Sequence, residues 1–435
     1  MRARAIIGTV ACCAMIGAKA QDSLLTLDHA VELVLKNNFD IRIARNTAEQ
    51  AANDNTIGNA GMLPRVDLNG AYATTTGHAR QELSNNTEVD RTGATSDNLS
   101  GNVALSWTVF DGLGMFATKK RLEELTTEGE LALKVRIEEV LSGLIGTYYT
   151  VVQQQQALEA INEQIAVAEE VGTIAQRRLD NGSGSKLDVL LARTQLNAQR
   201  SAALSAQAGL DNAKLELCRL LTIAPTTTIA VEDTVIIRYD PDLAALQNAA
   251  TAGNNTLLLS GSRQRAAELG LRATQATRWP TIDLNGAYQF TRSTNNASFI
   301  LLNQNLGYTW GVTASVPLFN GLRTNTAIRN AKLDLLNAGL DLESERQQLD
   351  ADTRKAWRDL QSRKGILTLE EENITAAREV LHIAEARFQA GLSSIVELKE
   401  AQSTFAEAAS RLVTARYNAK VAETELRRLA GDLVH

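Results

Sequence analysis

The 435-residue chain carries one sequence plan twice, and that duplication limits its fold more than any other feature. Leu63-Pro64-Arg65-Val66-Asp67-Leu68-Asn69-Gly70-Ala71-Tyr72 returns as Trp279-Pro280-Thr281-Ile282-Asp283-Leu284-Asn285-Gly286-Ala287-Tyr288, about 216 positions on. Val109-Phe110-Asp111-Gly112-Leu113 returns as Leu318-Phe319-Asn320-Gly321-Leu322, and Arg178-Leu179-Asp180-Asn181-Gly182 as Arg387-Phe388-Gln389-Ala390-Gly391, both about 209 positions on. The difference of about seven residues falls between the first two blocks, so the first hairpin loop, at about 77 to 98, is expected to be the longer one. The constant offset beyond it marks segments that tolerate no change of length.

Four segments alternate apolar and polar residues. Val103, Leu105, Trp107 and Val109 interleave with Asn102, Ala104, Ser106 and Thr108. Ile282 to Phe290 and Leu306 to Val316 follow the same rule, and Val66, Leu68, Gly70 and Tyr72 begin the fourth segment. A period of two gives a strand one apolar and one polar face. Each is about 10 residues or longer, enough to cross a bilayer when tilted. A soluble sheet also alternates. The aromatic residues favour the membrane reading, because Tyr72, Trp107, Phe110, Trp279, Tyr288, Phe290, Phe299, Tyr308, Trp310 and Phe319 gather in these segments of a chain only 4% aromatic. Aromatic girdles border lipid-facing barrels. Four strands cannot close a pore, so closure requires several chains.

After each strand pair comes a stretch without proline, from about 113 to 179 and from about 322 to 388. About 67 residues of helix make a rod near 100 Å. Leu360, Leu367, Ile374, Leu381 and Phe388 fall at every seventh position, as do Val151, Leu158, Ile165, Gly172 and Leu179. That spacing marks helices packed side by side. Glycine-containing turns at 181–185 and 390–394 reverse the chain into helices over 187–221 and 395–429, with Ser185 and Ser394 as N-caps and Asp188 and Glu397 in the first turn. Pro64, Pro280 and Pro317 fall at strand ends, and Pro225 and Pro241 bracket a linker. A proline inside a helix would cost about 3 kcal/mol, and none is predicted there.

The expected division is therefore a signal peptide over 1–20; a first repeat over 21–222, with a β-hairpin at 64–110 and a helical hairpin at 113–222; a linker over 223–241; and a second repeat over 242–431, with hairpins at 280–319 and 322–431. Arg2 and Arg4, the apolar stretch Ala5 to Ala18 and the small-x-small Ala18-Lys19-Ala20 form the signal. A membrane anchor there would be too short to span, and lipidation at Cys12 is the other alternative. Cys12 and Cys13 lie in the signal, so Cys218 alone remains and no disulfide forms within one mature chain. No other apolar run approaches a membrane helix, so any crossing must use strands. The formal net charge of −6 gives no sign of nucleic-acid binding.

Thr26-Leu27-Asp28-His29-Ala30-Val31-Glu32-Leu33-Val34-Leu35-Lys36-Asn37-Asn38 resembles the opening helix of the TolC outer-membrane efflux protein family. Leu63-Pro64-Arg65-Val66, Phe110-Asp111-Gly112, Phe319-Asn320-Gly321 and both tips, of the form Arg-x₃-Gly-x₂-Ser-x₂-Asp/Glu, resemble it too. The resemblance covers nearly the whole mature chain. It implies a mostly helical α+β fold, in which a membrane β-barrel of twelve strands from a homotrimer in outer-membrane lipid continues into a long α-helical barrel across the periplasm. The linker and C-terminal region would form an equatorial belt. The implied work is that of an outer-membrane channel, the passive exit duct across outer membrane and periplasm of a tripartite efflux pump or type I secretion system, driven by an inner-membrane pump or ABC transporter joined through a periplasmic adaptor. The family's entrance constriction falls on Glu397 and Glu400, its tip gate on Asp188, Phe388 and Ser393, and adaptor docking on Arg178, Gly182, Ser185, Arg387, Gly391 and Ser394. From the residues alone, Glu397 and Glu400 are also ordinary acids at a helix start. The Tyr and Arg that lock the second tip in well-known members are replaced by Phe388 and Ser393, and Leu187 precedes Asp188. The closed state is therefore expected to be held differently and to leak more.

His29, His78, His382 and His435 lie on unrelated segments, and no nucleophile–base pair, phosphate loop or metal cluster appears. No enzyme activity, cofactor or metal is expected. The competing class is a structural periplasmic coiled-coil adaptor, which would not account for duplicated aromatic strands. The cargo, whether drug, metal ion, siderophore or protein, stays open.

Overall fold

A computed structural model describes residues 24–433 apart from 83, 85, 233 and 299. The expected signal peptide with Cys12, the aromatic Phe299 and the terminal His435 lie outside the described residues. In chain order the elements are β1 (Leu24–Leu25), α1 (Leu27–Asn37), α2 (Phe39–Asp54), β2 (Arg65–Glu82), β3 (Glu88–Phe110), α3 (Gly114–Asp180) and α4 (Lys186–Leu221). Then follow β4 (Ala230–Val231), α5 (Leu243–Gly253), α6 (Asn255–Ala276), β5 (Thr281–Asn295), β6 (Leu302–Ser315), α7 (Arg323–Gln389) and α8 (Ile395–Ala430). The outgoing helices of both repeats have 67 residues and the returning helices 36, which is the constant offset expressed as structure.

Packing divides the chain into two units. The strand-bearing unit comprises Phe39–Val140, Asp240–Arg358 and the end of α8 from Glu425. It holds one four-stranded antiparallel sheet in the order β2-β3-β5-β6. The ladder brings the alternation of four separate segments into common rows. Leu68 pairs Val103, which pairs Tyr288, which pairs Tyr308; one step along, Val66, Leu105, Gly286 and Trp310 form the next row. Leu68, Tyr308 and Trp310 are 80%, 78% and 76% exposed. The intervening rows, such as Asn69-Asn102-Gln289-Gly307, are polar. One face of the sheet is thus apolar and uncovered, and β2 and β6 are free edges.

The first hairpin corrects one expectation. The loop expected at about 77 to 98 is mostly strand, because β2 and β3 stay paired as far as Glu82 and Glu88. The extra residues lengthen the ladder past a bulge at Gly77/His78 instead of forming a loose loop. Thr74, Thr75, Thr76, Thr92 and Thr95 favour extended backbone, and all five lie in the paired register of this ladder.

Strand passes to helix at the same motif in both repeats. Gly112 and Leu113 have φ of 74° and 70°, and Gly321 and Leu322 of 67° and 65°. A Cβ on Gly112 would lie 2.6 Å from the Ala276 carbonyl oxygen and from Trp279 Cβ, so only glycine fits there.

The other unit comprises the described part of 1–38, Leu141–Tyr239 and Asp359–Thr424. It holds the distal parts of α3 and α7, nearly all of α8, the whole of α4, and the linker. Heptad positions Val151 and Leu360 are fully buried. Parallel strands β1 and β4 pair Leu24 with Ala230 and Leu25 with Val231, tying the chain start to the linker.

Candidate functional site at the helical tips

The first tip closes because Ser183 and Gly184 both donate backbone N–H bonds to the Arg178 carbonyl, at 2.9 and 2.8 Å. Gly182 supplies φ +70°, and a Cβ on Gly184 would meet Arg178 Cβ at 2.8 Å. Ser185 then caps α4 in a capping box, its hydroxyl accepting from the Leu187 N–H while Asp188 accepts from the Ser185 N–H. Asp188 is therefore occupied in starting its own helix. The second tip repeats the plan: Gly391 (φ +78°) donates to the Phe388 carbonyl, Leu392 donates to that of Arg387, and the Glu397 N–H donates to Ser394 Oγ at 3.3 Å.

The two tips meet through Arg178. Its guanidinium lies 5.2 Å from the centroid of the Phe388 ring, and one terminal nitrogen would lie 3.4 Å from a Cβ on Gly391. Phe388 is 2% exposed in an apolar cluster with Val171, Ala175, Ala192, Ala384, Ile395, Leu398 and Ala401. Ser393 Oγ is buried and has no hydrogen-bond partner. Arg387 lies 3.5 Å from Glu397 across the turn. Glu397 on the first turn of α8 and Glu400 three residues further on are both exposed, and Glu400 makes no ion pair among the described residues. Of the residues singled out in the sequence, the fold brings together Arg178, Phe388 and Gly391, and Arg387 with Glu397. It leaves Glu400 facing solvent.

Between α3, α4, α7 and α8 near these tips lies a cavity of about 230 Å³ lined by Glu163, Gln195, Arg378, His382, Glu385 and Gln402, among others. Burial first, then the neighbouring Glu170, raises the pKa of the Glu385 carboxyl. Among the described residues no cluster of His, Cys, Asp and Glu could hold a metal ion.

Sequence reasoning missed a second set of polar anchors in the same unit. Glu423 is 1% exposed and accepts from the backbone N–H groups of Arg238 and Tyr239, at 2.9 and 2.8 Å, and from Lys420 Nζ at 2.6 Å. Burial raises its pKa, but the bonds from Lys420, Arg238 and Tyr239 together outweigh that and hold it below the usual range. Lys420 also donates to the Ile236 carbonyl and Lys364 to that of Tyr239. Tyr148 donates to the Leu25 carbonyl at 2.8 Å and accepts from the Glu232 N–H. Burial, with the nearby Tyr148, pushes its neighbour Tyr149 up to about 12. These bonds fasten the linker to the helices. Little that is local in the sequence marks them: apart from Lys420 and Glu423, which are three residues apart, each bonded pair is separated by more than 80 residues.

The outer membrane efflux protein family model matches residues 30–222 and 246–432. The outer membrane protein TolC of Vibrio cholerae is 24% identical over 391 residues, 87% of this chain and 84% of that protein. The alkaline protease secretion protein AprF of Pseudomonas aeruginosa is 23% identical, over 92% of this chain and 83% of its own. Among solved structures, the Campylobacter jejuni CmeC outer membrane channel superposes with a TM-score of 0.78 at 17% identity, over 93% of this chain and 85% of that one.

Proposed function

Because the chain belongs to the outer membrane efflux protein family, we propose that it is one subunit of a homotrimeric exit duct whose twelve strands, four from each copy, close one barrel. Its place is the cell outer membrane, with helices extending into the periplasm, and its work is that of a duct for efflux or type I secretion. The observation that carries the trimeric reading is the sheet. It has two free edges, an uncovered apolar face and a polar face. An open edge in lipid leaves backbone groups unpaired, at several kcal/mol each, so β2 and β6 require partners. Three copies joined edge to edge supply them, with the apolar rows turned to lipid and the polar rows to a water-filled lumen.

In this reading the tips face a periplasmic adaptor that docks on Arg178, Gly182, Ser185, Arg387, Gly391 and Ser394. An inner-membrane pump or ABC transporter supplies the energy. Glu397 and Glu400 of three copies surround the entrance with six carboxylates, which attract cations. Asp188, Phe388 and Ser393 act in the gate by fixing the tip backbone, Phe388 as the buried anchor under Arg178. The test is to isolate the protein from the outer-membrane fraction, weigh it intact and record its conductance in planar bilayers. Three copies per particle and a cation-selective conductance are expected. A soluble periplasmic monomer would overturn the reading.

A further inference from the structure

The duplication makes each tip surface comparable with its counterpart about 209 positions away. Within the chain, α3 places Glu163, Val167, Glu170, Val171 and Ile174 against α7 and α8. The counterparts on α7 are Glu372, Ala376, Glu379, Val380 and Ile383. Val171 is 7% exposed, whereas Val380 and Ile383 are 49% and 51% exposed. The receiving surface shows the reverse. Leu381, Leu398, Gln402 and Phe405 line cavities or clusters against α3 and α4. Their counterparts Gly172, Val189, Arg193 and Leu196 line an open groove of about 510 Å³ between α3 and α4. Each chain therefore leaves one presenting face and one receiving groove unused, of the two kinds that it joins internally. Such unlike surfaces join copies head to tail, and they close a ring when the rotation between copies closes, as the three-copy barrel proposed above requires.

The two seams differ in charge. The groove carries Arg177, Arg193 and Arg200, whose counterparts are Ala386, Gln402 and Ala409. Arg200 is paired with Glu169 at 2.8 Å, while Arg177 and Arg193 make no ion pair among the described residues. The unused face carries Glu372 and Glu379, both exposed, where the internal seam has Glu163 and Glu170. We infer that the arginine groove of α3 and α4 receives the acidic α7 face of a second copy, so that the tip seam between subunits is held by charge while the seam within each chain is held by apolar packing and the Arg178–Phe388 contact. The inference rests on the ring reading above and specifies how its tip is built. The charged seam is the salt-sensitive one.

The test uses the full-length trimer in detergent. Gln176→Cys and Ile383→Cys are combined, because their counterparts Glu385 and Ile174 line one small void within the chain. A short bis-maleimide is expected to link neighbouring copies, and two single-cysteine variants mixed before assembly should give linked dimers. Arg177→Glu with Arg193→Glu should slow linking about threefold or more, Glu372→Lys with Glu379→Lys should restore it, and about 1 M salt should slow the parent likewise. A trimer that does not link, or links equally fast after charge reversal, overturns this seam and leaves the ring standing. A protein that forms no trimer overturns the ring itself.

Discussion

Arg178 at the end of α3 lies over the ring of Phe388 at the end of α7, 5.2 Å from its centroid, so one cation spans the tips of both repeats. The ring is buried and the guanidinium is confined beside Gly391. Phe388 stands at the position where well-known family members were expected to carry a locking Tyr, and its contact here is with Arg178. It holds the tips by dispersion and a cation–π contact, not by a hydroxyl bond.

Truncating this pair should loosen the tips in graded steps. Phe388→Ala removes a buried aromatic, worth about 3–5 kcal/mol, and Arg178→Met removes mainly the cation–π part, about 0.5–1 kcal/mol. Hydrogen exchange should rise at 171–192 and 384–401 in the first variant and only slightly in the second. Equal protection in both would show that the ring is not an anchor.

The glycines of the first tip should separate two causes. Gly182→Ala meets no neighbour within 4 Å but holds a left-handed φ, at about 1–2 kcal/mol. Gly184→Ala drives a Cβ into Arg178 Cβ and the Leu179 N, both under 3.0 Å away, and must move the turn. Gly184→Ala should therefore disorder the tip more, read as faster proteolysis at 178–188.

Two buried carboxylates should respond to pH with opposite sign. Glu423 is held below its ordinary pKa, so it stabilises the fold above about 4.5 and that support fades as pH falls through the lower folded value. Glu138 is 3% exposed, and burial, only partly offset by the Asn255 bond, raises its pKa. Its ionisation opposes folding as pH rises above about 4.5. At pH 7, Glu423→Gln should lower the melting temperature, and Glu138→Gln should raise it or leave it unchanged. Thermal scans between pH 3 and 8 would read both slopes, and slopes of equal sign would contradict the assignment.

Substitutions on the two faces of the sheet should differ sharply. Val312 lies on the apolar face, 64% exposed, and Thr309 alternates onto the other. Val312→Arg should impede insertion into lipid vesicles by about 2–4 kcal/mol if it sits near mid-bilayer, and Thr309→Arg should insert almost normally.

The sequence alone determined the long strands and helices and their order. Alternation at Val103 to Val109, heptads ending at Leu179 and Phe388, and the turns at Gly182 and Gly391 are local signals, because strand, helix and turn preferences depend on neighbours a few residues away. Family motifs added the expected assembly. Only the tertiary structure decided which distant groups meet. The order β2-β3-β5-β6, the paired strands in place of the loop expected at 77 to 98, Tyr148 on Leu25 and Glu423 on Arg238 all depend on residues far apart in the chain. The same holds for Phe388, which heptad spacing placed on a helix face but which only the crossing of two hairpins buried under Arg178. Local chemistry fixes the shape of each segment, whereas burial and pairing across long loops are set by the global packing that closes those loops.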